Sequence, residues 1–170
     1  MSKLNKIATG AVCSVALIIG LVVSNGNVRT SKAGLELIGN AESCRIEPYL
    51  CPANVWTDGI GNTHGVKPGV RKTIEQIAAD WERNILDAEQ CVNRNANGQH
   101  LRQGAFDSSV SLVFRVGCST AQKSTLFYML RQGRVDDACE QFTRWVWAAG
   151  KILPGLVTRA GKERALCLAK

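Results

Sequence analysis

Residues 42–57 read ESCRIEPYLCPANVWT, and this stretch decides how the chain is built. Glu42 closes a run of helical spacing, cysteines stand at 44 and 51, and Thr57 follows in a turn-rich segment. Just upstream, Ser31 suits the N-cap of a short helix through KAGLELIGNAES, whose Leu35, Ile38 and Ala41 share one face. From Pro48 to Gly65, prolines and glycines enclose VWTDGIG, the pattern of small strands or an irregular hairpin.

The rest of the chain reads mainly as helix. In TIEQIAADWERNILDAEQCV, Ile74, Ile77, Ala78, Trp81, Ile85 and Ala88 form one stripe, and Thr73 can cap it. QGAFDSSVSLVFRVGC predicts a second helix stopped by Gly117, and DDACEQFTRWVWAAGK a third that ends near Gly150. Pro154 and Gly155 then interrupt before VTRAGKERALCLAK. The expected fold class is α+β, mainly α: a small β lobe after one helix, then a helical lobe, with a cleft between them.

With 170 residues, 45% of them hydrophobic, the chain can bury one ordinary core. The formal charge of +7 comes from scattered Lys and Arg. No basic run with interleaved aromatics, zinc-finger spacing or phosphate-binding glycine loop accompanies it, which argues against nucleic acid and against a metal. His64 in NTHG is a surface-turn residue on this reading, since the other histidine is the distant His100. Trp145 and Trp147, with Arg144 beside them, could stack on a ligand ring, though buried packing is the stronger default for tryptophan in a helix.

At the N-terminus, Lys3 and Lys6 precede an uncharged run from Ile7 to Val28, the pattern of an export signal. About 20 helical residues span a ~30 Å hydrocarbon core, so the run is just long enough. The nine Leu, Ile and Val residues within 7–24 contribute only about −3 to −5 kcal/mol to insertion, eroded by Thr9, Gly10, Ser14, Gly20 and Ser24. A cleaved signal, a permanent anchor and an anchor that later leaves the membrane all fit. Seven cysteines, at 13, 44, 51, 91, 118, 139 and 167, favour an oxidising compartment, and the odd count leaves one thiol over.

On position alone Glu42 is a candidate general acid, with Glu47 and Asp58 as rivals. The spacing Glu42, eight residues, Cys51, five residues, Thr57 resembles the catalytic signature of the phage-type lysozymes of the T-even phage class, where Glu, Asp and Thr fill those places. VWTDGIGNTHG resembles the strand and glycine turn that follow in that family, and RWVWAAGKILPGLVTRAGKERALCL the end of its lambdoid members. With the weak anchor added, the chain is similar to the signal-anchor-release endolysins.

That resemblance implies a lysozyme-like domain over 34–170, a linker at 29–33 and a signal-anchor over 1–28, with residues 7–24 in the inner membrane. It implies a monomer without cofactor whose partner is the glycan strand of peptidoglycan, cut between N-acetylmuramic acid and N-acetylglucosamine. Glu42 would protonate the leaving oxygen and Thr57 would hold the attacking water. Position 51 departs from the family, being Cys: it must be activated locally, act as a nucleophile, or only place the water. A membrane-tethered binding module and a lytic transglycosylase are the alternative functions. The domain would face the periplasm and later be released there.

If Cys91 pairs with Cys118 and Cys139 with Cys167, one of 15 connectivities for six cysteines, then Cys13, Cys44 and Cys51 remain. A Cys44–Cys51 bridge would consume the thiol at the catalytic position. Once out of the bilayer, Cys13 could attack Cys44 and release Cys51. In the plainer alternative Cys44–Cys51 is a permanent staple.

Overall fold

The computed structural model describes residues 13–170. Helix α1 (Val15–Asn25) starts at Ser14, whose hydroxyl accepts the Leu17 amide, and stops at Gly26. Helix α2 (Lys32–Glu42) is capped by Ser31, and strands β1 (Arg45–Leu50) and β2 (Trp56–Gly59) follow as an antiparallel hairpin. Helix α3 (Ile74–Asn95) opens with a reciprocal capping box between Thr73 and Gln76. Its apolar stripe packs on α4 (Gln103–Val116), which is buried along most of its length. The short helices α5 (Cys118–Ala121), α6 (Thr125–Arg131) and α7 (Val135–Glu140) lead to a second hairpin, β3 (Trp147–Ala148) and β4 (Lys151–Ile152), and to α8 (Pro154–Leu168), which lies against α4.

Two expectations need correction here. The third helix expected through Gly150 ends at Glu140, and Trp147 instead lies in β3, 61% exposed. Ala149 (φ 49°) and Gly150 (φ 74°) both take left-handed backbone, which closes a tight two-residue hairpin and cannot continue a helix. Pro154, read as an interruption, is the first residue of α8, where its missing N–H costs nothing.

The N-terminal segment also has a place in this fold. Among the described residues no helix is long and apolar enough to cross a membrane. Residues 7–12 of the expected span lie outside the described residues, and from Val15 onward the segment belongs to the folded domain. Ile18, Ile19 and Val22 are buried in the main core with Trp81 and Ile85. Gly39 of α2 permits the close approach: a Cβ there would stand 2.8 Å from Val15 Cγ1.

Carboxylates on α3 and α4 satisfy the polar chain that follows α1. Glu82 accepts Asn25 Nδ2 and Asn27 Nδ2, each at 2.7 Å. Glu89 accepts the amide (2.6 Å) and hydroxyl (2.7 Å) of Thr30, and Asp107 accepts the amide and hydroxyl of Ser31. Buried carboxylates need such partners, so the sequence AsnGlyAsn to ThrSer is held residue by residue.

The domain is stapled by Cys91–Cys118 and Cys139–Cys167, with a third bond, Cys13–Cys44, tying the start of α1 to the start of β1. Loops of 27 and 28 residues make each of the first two worth about 3.5 kcal/mol in chain-entropy terms. Because Ile18 is fully buried, Ile18→Ala in the oxidised protein should destabilise it by about 2–5 kcal/mol, read by denaturant unfolding. A change under 0.5 kcal/mol would show that α1 does not belong to the cooperative core.

Candidate functional site

The chain leaves α2 at Glu42 through Ser43, held at φ 60°, and turns at once into β1. This places the Glu42 side chain over the turn that follows β2. One carboxylate oxygen, Oε1, accepts Arg159 Nη1 of α8 at 2.7 Å. The other, Oε2, faces Gly61, where an added Cβ would come within 3.1 Å of it and 3.5 Å of the Phe114 ring. Gly61 is also left-handed (φ 64°), so both backbone and space call for glycine. Between this turn and α3 and α4 runs a groove of about 340 Å³, lined by Gly61, Thr63, His64, Asn84, Asp87 and Phe114 among others. A larger groove of about 850 Å³ lies between α2 and α8 and touches this chemistry only through Arg159 and Ala41 beside Glu42.

Cys51 and Thr57 meet across the mouth of the first hairpin. Tyr49 pairs with Thr57 and Leu50 with Trp56, and the Cys51 amide then donates to the Val55 carbonyl at 3.0 Å. Cys51 is a free thiol, whereas Cys13 and Cys44 are joined. Backbone hydrogen bonding at Val55, then at Ala53, and the Thr57 hydroxyl hold the Cys51 thiol below its ordinary value, against partial desolvation. Thr57 is buried, and its hydroxyl also lies 3.1 Å from the Val55 carbonyl. One hydroxyl proton serves both acceptors, so a thiolate at Cys51 competes for it.

The hairpin is fixed from behind. Asp58, neighbour of Thr57, is buried and accepts Lys72 Nζ and Asn62 Nδ2, and Lys72 also reaches Asp80 of α3 at 2.6 Å. Burial would lower the Lys72 ammonium's pKa, but the two carboxylates raise it. Asp58, a rival for the acid role, is therefore occupied as a strut. Glu47 points to the exposed side, where it pairs with Arg71. His64 is exposed at the groove rim.

Arg159 went unnoticed in the sequence, although a signal was present. Arg159, Glu163 and Cys167 are four apart on α8 and share its buried stripe, so two charges stand where apolar residues belong. Glu163 is fully buried; its Oε2 accepts Arg115 Nη2 at 3.0 Å and its Oε1 accepts Ser111 Oγ at 2.7 Å. Burial pushes the Glu163 carboxyl up, opposed by Arg115, Ser111 and Arg159.

The arrangement, a carboxyl held by Arg159 at the Gly61 turn and a free thiol beside a threonine on the preceding hairpin, has counterparts. The family model described as Phage lysozyme matches residues 39–163. The SAR-endolysin of Escherichia phage P1 is 48% identical over 94% of this chain and 92% of that protein. The crystal structure of the active form of P1 phage endolysin Lyz superposes with a TM-score of 0.88, at 49% identity, over 94% of this chain and 96% of that one. For the secreted inactive form of Lyz the TM-score is 0.59, at 46% identity, over 82% of this chain and 96% of that one. The match takes in the end of α2, both hairpins and most of α8, and on that evidence the chain belongs to the phage lysozyme family.

Proposed function

We propose that the protein is an endolysin that hydrolyses the β-1,4 bond between N-acetylmuramic acid and N-acetylglucosamine in peptidoglycan. The observation that carries this reading is the unequal use of the two Glu42 oxygens. Oε1 is held by Arg159, which orients the carboxyl, and Oε2 is left toward Gly61 and Phe114 at the groove. In the acid form Glu42 gives its proton to the glycosidic oxygen as the bond to the leaving sugar breaks. Water enters on the other side, held by Thr57, and loses its proton to the medium or to Cys51. The lowered thiol pKa favours a thiolate at Cys51, which suits a base or nucleophile more than a passive neighbour.

The same reading extends to control. Before release, residues 7–24 would lie in the inner membrane, with residues 29–33 as linker and the domain in the periplasm. There Cys44 would be bonded to Cys51. On release the Cys13 thiolate attacks Cys44 Sγ: the Cys13–Cys44 bond forms, the Cys44–Cys51 bond breaks, and Cys51 departs as thiolate. One disulfide replaces another, so no outside oxidant or reductant is consumed. The Cys13–Cys44 bond and free Cys51 fit the product of that exchange, and the higher TM-score to the active form of Lyz points the same way.

The lock would do more than occupy a thiol. Seven residue steps of extended chain separate Cys44 from Cys51, about 23 Å, whereas a disulfide needs Cα atoms about 4.4–6.8 Å apart. A Cys44–Cys51 bridge is therefore incompatible with β1 as a strand, and without β1 the partner strand carrying Thr57 loses its register.

Three outcomes are expected. Glu42→Gln should abolish release of soluble muropeptides by the wild-type route, which should carry reducing ends; anhydro ends would indicate a transglycosylase, and intact sacculi a binding module. Cys13→Ser should be secreted with Cys44 bonded to Cys51 and should lack hydrogen-exchange protection over residues 45–59, as mapped by mass spectrometry. Alkylation of Cys51 against pH should show a midpoint below that of a free cysteine, moving upward in Thr57→Val, because one hydrogen bond to the thiolate is lost.

A further inference from the structure

The charge cluster behind Glu42 is not explained by substrate contact. Arg159 lies 2.7 Å from Glu42 and is largely buried, with side-chain exposure of 8%. An unopposed guanidinium at that distance holds a carboxyl in its ionised form, which is the wrong form for a proton donor. Arg115 of α4 adds a second positive charge attracted to Glu42. Against these two cations stands one further anion, Glu163, at 3.4 Å from Arg159 Nε and 3.0 Å from Arg115 Nη2.

We propose that Glu163 is a positioning residue for the proton donor: it neutralises Arg159 and Arg115 so that Glu42 can hold the proton it delivers. The placement is rigid. Glu163 stands one helical turn after Arg159 on α8, and Ser108 Oγ binds its backbone carbonyl at 2.8 Å while Ser111 Oγ binds its carboxylate. Ser111 also lies 3.3 Å from Arg159 Nη2, which closes the cluster.

The other elements around Glu42 leave the balance to these residues. The Gly61 turn and Phe114 bring no charge to Oε2. On the hairpin Asp58 is taken up by Lys72 and Glu47 by Arg71, Arg45 lies over the Tyr49 ring, and Cys51 is a free thiol. With Glu163 ionised, the two guanidiniums keep one uncompensated positive charge when Glu42 is protonated; without Glu163 they keep two. Arg159 thus orients the acid, and Glu163 limits how strongly it is held ionised. The inference rests on Glu42 as the general acid.

The test uses carbon-13 carboxyl NMR of the full chain, labelled at glutamate, with Glu42→Gln to assign the Glu42 signal. Glu163→Gln should lower the Glu42 titration midpoint by about one pH unit, and Arg115→Gln should raise it by a similar amount. The double variant should return toward wild type. In Glu163→Gln, kcat should fall roughly tenfold at neutral pH with KM little changed. Both substitutions disturb the same buried cluster, so a merely structural role would not move the midpoint in opposite directions. Shifts of the same sign, or none, overturn the proposal, and Arg115→Gln decides the sign alone if Glu163→Gln does not fold. Opposite shifts together with a fully active Glu42→Gln would leave the electrostatics standing and remove the acid assignment.

Discussion

Cys44 has one sulfur and can make one disulfide at a time. It stands at the joint where α2 hands the chain to β1, two residues from Glu42. Bonded to Cys13, it fastens α1 beside α2, leaves β1 extended, and leaves Cys51 with a free thiol across from Thr57. A single bond thereby ties the start of the N-terminal helix to the joint between Glu42 and β1.

Under the proposed route from membrane to periplasm, the segment must be content in two surroundings. Complete burial of Ile18, Ile19 and Val22 contributes about 1.5–3 kcal/mol each on folding. All nine of its aliphatic residues together contribute only about 3–5 kcal/mol to bilayer insertion. The two scales have different reference states, and both terms are of the order of several kcal/mol. Polar Ser14, Gly20 and Ser24 weaken the hold of lipid, and Asn25, Asn27, Thr30 and Ser31 find carboxylate partners only on the folded domain. A stronger membrane helix would have given up this balance.

Much of this was legible in the residues. The Ser31 and Thr73 caps and the stripe through Trp81 lie in the sequence as they lie in the fold, because each is a local pattern. What escaped depended on distant partners. Hydropathy reports that residues 15–25 avoid water without naming α3 as what covers them, so their place in the folded core does not follow from the sequence. Ala149 gave no warning of left-handed backbone, since alanine is ordinarily a helix former, and the β3–β4 hairpin was read as helix. Arg159 became visible as a partner of Glu42 only when α8 was seen to cross α2, 117 positions away in sequence.

The contacts at the two ends of α1 turn that helix into a ruler. Its far end is pinned by Glu82 through Asn25 and Asn27, and its near end delivers Cys13 to Cys44. Between those points lie twelve residue steps, about 18 Å at about 1.5 Å each, and each step turns the helix by about 100°. One residue more or fewer would leave the apolar content almost unchanged yet swing Cys13 well away from its partner. The length of this segment is therefore constrained by phase as well as by hydrophobicity, which a membrane anchor alone would not require.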